Sequence, residues 1–166
     1  MDTIAKLIDQ LNEGIGKLNA MLILPLVAVV FYEVIMRYAF NSPTVWGFEM
    51  TVFIYGVHFM LGLAITENRS GHVQVDVLVN AFPKKVRAAI GILTSLVIFL
   101  PVWSCMAYYA VDFAATSTSH LEVNSTSWAP AIWPYKVLMA LGFVLLFLQG
   151  ISTLIKHIQN FRGLGE

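Results

Sequence analysis

Charge is scarce in this sequence: 12% of its 166 residues are Asp, Glu, Lys or Arg, against 58% that are hydrophobic. A soluble domain carries about 25% charged residues. This chain therefore lacks the polar surface to face water on all sides, and its mean hydropathy of +0.73 reads as an integral membrane protein. The charges present cancel, ten basic against ten acidic, so nothing in them argues for a nucleic-acid partner. Cysteine is reduced to Cys105; one thiol makes neither an internal disulfide nor a multi-cysteine metal site, and in an apolar run it reads as packing. Also missing are a phosphate-cradling glycine loop, an activated-nucleophile motif, internal repeats and the pair of broken helices that builds a transporter's central site. No basic stretch leads directly into an apolar core with a small-residue cleavage site, so the first apolar run is expected to remain as a span.

What is present is long apolar runs separated by short polar ones. The sequence predicts an all-α integral membrane protein, one membrane domain over residues 1–166, with four transmembrane helices at 18–40, 44–66, 88–111 and 132–155, each near the roughly 20 residues that cross a bilayer core. Residues 2–17 place Ile4, Leu7, Ile8, Leu11 and Ile15 on one face and Asp2, Lys6, Asp9 and Glu13 largely elsewhere. That is an amphipathic helix, suited equally to a lipid surface or to a partner. A second surface helix is expected at 72–82 in the loop after the second span, and 113–131 reads as a Ser/Thr-rich outer loop without Lys or Arg. That loop contains Asn124-Ser125-Thr126, a three-residue match to a glycosylation sequon. Pro101 is expected to kink the third span. Lys6, Lys17, Arg69, Lys84, Lys85, Arg87, Lys156 and Arg162 gather on one side, so the positive-inside rule puts both termini in the cytoplasm, with Trp46, Trp128, Trp133 and Tyr135 as an outer aromatic belt near Lys136.

Charge inside an apolar helix has to be paired. Glu33 and Arg37 are four apart and share a helix face, and each alone would cost about 2.5–3.5 kcal/mol at the centre of a spanning helix. With Glu49 just past the turn, a Glu33–Arg37–Glu49 cluster joining the first two spans is expected, either as a clamp or as an ion or proton site. In the second span Thr51, Tyr55, His58 and Gly62 recur at spacings of four, three and four, the small and polar stripe that marks helix contacts in membranes. Gly142, Gln149 and Thr153 make a weaker one in the fourth. His58 alone among the spans argues against haem, with His72, His120 and His157 assigned outside them. His72 and Asp76, four apart, are too few ligands to specify a metal. No cofactor is expected in this chain.

The corner Arg37-Tyr38-Ala39-Phe40-Asn41-Ser42-Pro43 with Trp46 and Glu49, then Arg69-Ser70-Gly71-His72-Val73 with Asp76, then Trp128, Pro130, Trp133 and Tyr135 resemble the DctQ-like small permease subunit of tripartite ATP-independent periplasmic (TRAP) transporters. The likeness covers nearly the whole chain. It implies a non-enzymatic, multi-pass subunit of a bacterial or archaeal inner membrane. It also implies a large multi-span permease partner that carries the substrate and sodium sites, and a periplasmic binding protein that delivers an organic acid or related solute. Where that family commonly has two consecutive acidic residues in the second span, this chain has Phe48 and Glu49. The rival reading is an autonomous four-helix carrier that titrates Glu33 or Glu49.

Overall fold

A computed structural model describes residues 2–69 and 82–163. Within them the chain forms α1 (Asp2–Ala20), α2 (Ile23–Tyr38), α3 (Gly47–Asn68), α4 (Lys84–Thr94), a π-helical turn (Ser95–Phe99), α5 (Leu100–Ser119) and α6 (Trp133–Gly163). The described residues contain no strand beyond an isolated antiparallel bridge between Val123 and Ala131. Four helical runs are long and apolar enough to cross a membrane: Thr3–Tyr38, Gly47–Asn68, Lys85–Ser119 and Trp133–Gly163.

The last helix is the centre of the bundle, because 39% of its most apolar stretch is buried against 6% in each of the other three runs. It packs against α1, α3, α4 and α5, while α2 leans on α3. One core cluster joins Ala64 of α3 to Leu145 and Leu146 of α6, with Phe99 and Trp103 against it; another joins Ala110 and Ala114 of α5 to Ala140 of α6. Apart from Leu145 and Leu146 the buried positions are small or polar, whereas Leu24, Phe31, Phe48 and Tyr108 point outward. Such a distribution suits hydrocarbon as the surrounding solvent, where helices associate through close approach and polar contacts.

Several boundaries differ from the sequence reading. The run 18–40 is not one helix: a turn at Met21 and Leu22 separates α1 from α2. Pro25 is then the third residue of α2, where the backbone N–H it lacks has no intrahelical partner to lose. Asp112 does not end the third span, which continues to Ser119. The hydroxyls of Thr118 and Ser119 bond back to the Ala114 and Thr116 carbonyls, so these residues serve a helix where their composition suggests a loop. Pro101 acts through the π turn just before it, in which the Leu100 N–H reaches back five residues to Ser95. The fourth span runs on past Ile155 to Gly163, which brings His157 into a helix. The surface helix expected at 72–82 falls, apart from Phe82, outside the described residues.

α1 is amphipathic, and its apolar face is turned outward. Ala5, Asn12 and Asn19 are buried, while Ile4, Leu7, Leu11 and Leu18 are exposed. Its polar side is turned onto α3 and α6.

Candidate functional site

The corner between α2 and α3 is built around Glu33. Its carboxylate accepts from Arg37 Nη2 at 2.8 Å, from the Thr44 backbone N–H at 3.2 Å, and from the Thr44 hydroxyl. Thr44 Oγ1 in turn accepts the Gly47 N–H at 3.1 Å, capping one of the first free donors of α3. A Cβ at 47 would lie 2.6 Å from both Glu33 Oε2 and Thr44 Oγ1, so any larger residue there must displace these two bonded groups. Trp46 stacks on Tyr32 of α2 with ring centroids 5.7 Å apart, and Asn41 closes the turn with a left-handed φ of 50°. Glu33 is 12% exposed and Arg37 52%.

Glu49 is not part of this cluster. It accepts from Asn124 Nδ2 at 3.1 Å, tying the start of α3 to the loop between α5 and α6. The hydrogen bonds across the corner therefore run from Thr44 to Glu33 and from Gly47 to Thr44, not between Arg37 and Glu49. That bond occupies the side-chain nitrogen of the sequon asparagine. In the same loop Glu122 accepts from Lys136 Nζ at 2.5 Å, and Lys136 also lies 3.9 Å from the Phe113 ring centroid. The Lys136 ammonium holds the Glu122 carboxyl below its usual range. Tyr135 stacks on Phe53 at 5.1 Å, its hydroxyl over Gly56. Trp128 and Trp133 are half-buried beside it in sequence.

The stripe read on the second span divides. Tyr55 faces outward and stacks on Phe59, and Thr51 bonds its own helix at Gly47. His58 meets α1: its Nδ1 donates to the Asn19 carbonyl at 3.1 Å, and Asn19 Nδ2 donates to the His58 carbonyl at 2.9 Å. This places the proton on Nδ1 and gives a second donor to a carbonyl at the end of α1 that also accepts the Leu22 N–H at 3.0 Å. Arg69, at the far end of α3, pairs with Glu13 at 2.8 Å. His72 and Asp76 lie outside the described residues.

The largest polar assembly centres on Gln149, which the sequence reading placed in the weaker stripe of the fourth span without its partners. Gln149, fully buried in α6, accepts from Asn12 Nδ2 at 2.6 Å and donates to Asp9 at 2.9 Å and Asn68 at 3.3 Å. Ser152 donates to Asp9 at 2.8 Å, and Lys156 reaches Asp9 at 2.8 Å and Asn68 at 3.3 Å. Three helices meet through these six side chains. The signal was available: Ala5, Asp9, Asn12, Gly16 and Asn19 recur at spacings of four, three, four and three, as do Gly142, Leu145, Gln149, Ser152 and Lys156 at three, four, three and four. Among the described residues no group of three or more His, Cys, Asp or Glu could hold a metal ion.

Because the corner is held chiefly through Glu33, the two members of its ion pair are expected to differ. Glu33→Ala removes the partner of Arg37 and of both Thr44 donors, whereas Arg37→Ala leaves Glu33 bonded to Thr44. In a thermal melt of the purified protein the drop in Tm for Glu33→Ala should be roughly threefold that for Arg37→Ala, following the number of hydrogen bonds lost. Equal drops would mean that the salt bridge, not the cap, fixes the turn.

These contacts define a multi-pass, four-helix membrane protein whose polar side chains are spent on holding helices and turns together. The family model for "Tripartite ATP-independent periplasmic transporters, DctQ component" matches residues 26–160. The chain belongs to that family. It is 21% identical over 142 residues to the sialic acid TRAP transporter permease protein SiaT of Haemophilus influenzae, an alignment covering 86% of this chain and 22% of the relative. It is 39% identical over 59 residues to the C4-dicarboxylate TRAP transporter small permease protein DctQ of Vibrio cholerae, covering 36% of this chain and 25% of the relative. Against the sialic acid TRAP transporter small permease protein SiaQ of Vibrio cholerae it is 24% identical over 97 residues, 58% of this chain and 54% of the relative. The chain thus spans a quarter or less of the length of the first two relatives.

Proposed function

We propose that this chain is the small membrane subunit that holds a large multi-span permease in place for sodium-coupled uptake of an organic acid or related solute, delivered by a periplasmic binding protein. Both termini face the cytoplasm of a bacterial or archaeal inner membrane in this reading, and no cofactor belongs to the chain itself. The observation that carries it is the family match over residues 26–160. The SiaT alignment adds support: 86% of this chain corresponds to 22% of a protein called a permease, the proportion expected if a segment of this kind is joined to a larger membrane body. The autonomous carrier is disfavoured by chemistry, since Glu33 is bonded to Arg37 and Thr44, and Glu49 to Asn124. A carboxylate held in this way is poorly placed to exchange protons or cations.

The test is affinity capture of the tagged full chain from native membranes in mild detergent, with co-purifying proteins identified by mass spectrometry. One large multi-span membrane protein at equal stoichiometry is expected. Recovery of this chain alone, under conditions that keep other membrane complexes intact, would overturn the proposal.

A further inference from the structure

A groove of about 600 Å³ runs between α5 and α6, walled by Met106, Tyr109 and Phe113 on one side and Met139 and Phe143 on the other. Asp112 and Thr116 lie along it, one helical turn apart. Asp112 is exposed and sits seven residues inside the end of α5, about 10 Å down the helix. Among the described residues no basic side chain pairs with it. Lys136, which lies over the neighbouring Phe113, is engaged by Glu122. A carboxylate on the outer face of a spanning helix is costly until a cation meets it.

We propose that this groove binds one phospholipid with a primary-ammonium headgroup, of the ethanolamine type. The ammonium donates to Asp112, and one acyl chain lies along the apolar wall towards Met106. Three features select this occupant. The groove extends from Thr116 to Met106, ten residues or about 15 Å along the helix axis, which is the direction in which acyl chains lie. Its volume is that of a small-molecule site. Its apolar wall is Met, Tyr and Phe around a single small residue, Ala110, whereas a helix docking in lipid is met by a row of small residues that allow close approach. Charge chooses the headgroup: an anionic lipid is repelled by Asp112, and a choline cannot donate the charge-assisted N–H bond that an ammonium can. This inference does not depend on the transporter reading.

Native mass spectrometry of the delipidated full chain, titrated separately with ethanolamine, choline and glycerol phospholipids of the same acyl composition, tests it. One ethanolamine lipid per chain is expected, bound about tenfold more tightly than the glycerol lipid. Asp112→Asn should abolish that preference and Asp112→Glu should restore it. Equal affinity for the three lipids, or a preference that survives Asp112→Asn, overturns the site. A third result also overturns it: Asp112→Asn leaves lipid binding unchanged but reduces a co-purifying membrane protein, which would make the occupant a partner's basic side chain.

Discussion

Replacing Gln149 with Leu is expected to lower the thermal midpoint of the purified protein by about 6–12 °C and to release α1 from the bundle. The substitution conserves bulk but removes three hydrogen bonds at once, to Asn12, Asp9 and Asn68. Interhelical hydrogen bonds in membranes average about 0.6 kcal/mol, so the bonds alone account for about 2 kcal/mol. The Asn12 amide, 2% exposed, then loses its acceptor without gaining water, at a further cost of about 1–3 kcal/mol. The lower end of that sum, about 3 kcal/mol, gives the expected fall at roughly 2–4 °C of Tm per kcal/mol in a protein of this size. Hydrogen exchange locates the effect: protection should fall across α1 while α5 and the outer half of α6 keep theirs. Adding Asn12→Leu to Gln149→Leu should recover part of the loss, since the Asn12 amide is then no longer left unpaired. An unchanged midpoint with full protection of α1 would show that the apolar contacts of Ile15 with the Ala64 cluster are enough to dock the helix.

That network also shows where sequence reasoning stops. The four spans were legible because length and hydropathy alone identify a segment that crosses a bilayer, and the Glu33–Arg37 pair was legible because a spacing of four fixes a shared face. The orientation of α1 was not. Its leucines and isoleucines mark one face, which the pattern suits equally to lipid or to a partner; what the pattern did not give is that the face bearing Asp9, Asn12 and Asn19 packs inward on α3 and α6. Glu49 was misplaced for a different reason. Depth along a helix could be counted, but the partner of a carboxylate depends on which way the first turn of α3 points, and that is set by Thr44 and Gly47 together. The loop from His120 to Ile132 was harder still, because its order comes from contacts distant in sequence: Asn124 with Glu49, and Glu122 with Lys136. Thr118 and Ser119, read as loop by composition, belong to α5 because hydroxyls can return their bonds to the helix that carries them.

Two glycines in helix interiors should respond to substitution in opposite directions. Gly14 in α1 has no atom within 4 Å of where a Cβ would stand, whereas at Gly142 in α6 the Cβ would lie 2.9 Å from the Met60 carbonyl oxygen and 3.1 Å from its carbon. At position 14 the only change is in the chain's own entropy, and Gly14→Ala should stabilise by about 0.5–1 kcal/mol. At position 142 the obstacle is backbone of α3, which cannot swing aside as a side chain can. Gly142→Leu must therefore push α3 and α6 apart beside the Ala64, Leu145 and Leu146 cluster, and the adjustment should cost about 3 kcal/mol, the upper end of the range for overpacked cores. By the conversion used for Gln149 this is a fall in Tm of about 6–12 °C, against a rise of about 1–4 °C for Gly14→Ala. Gly142→Ala should fall between them, its helix propensity gain offset by the same clash. If Gly142→Leu melts at the wild-type temperature, the two helices are not in backbone contact at Met60, and the small-residue stripe of α6 has some use other than close packing.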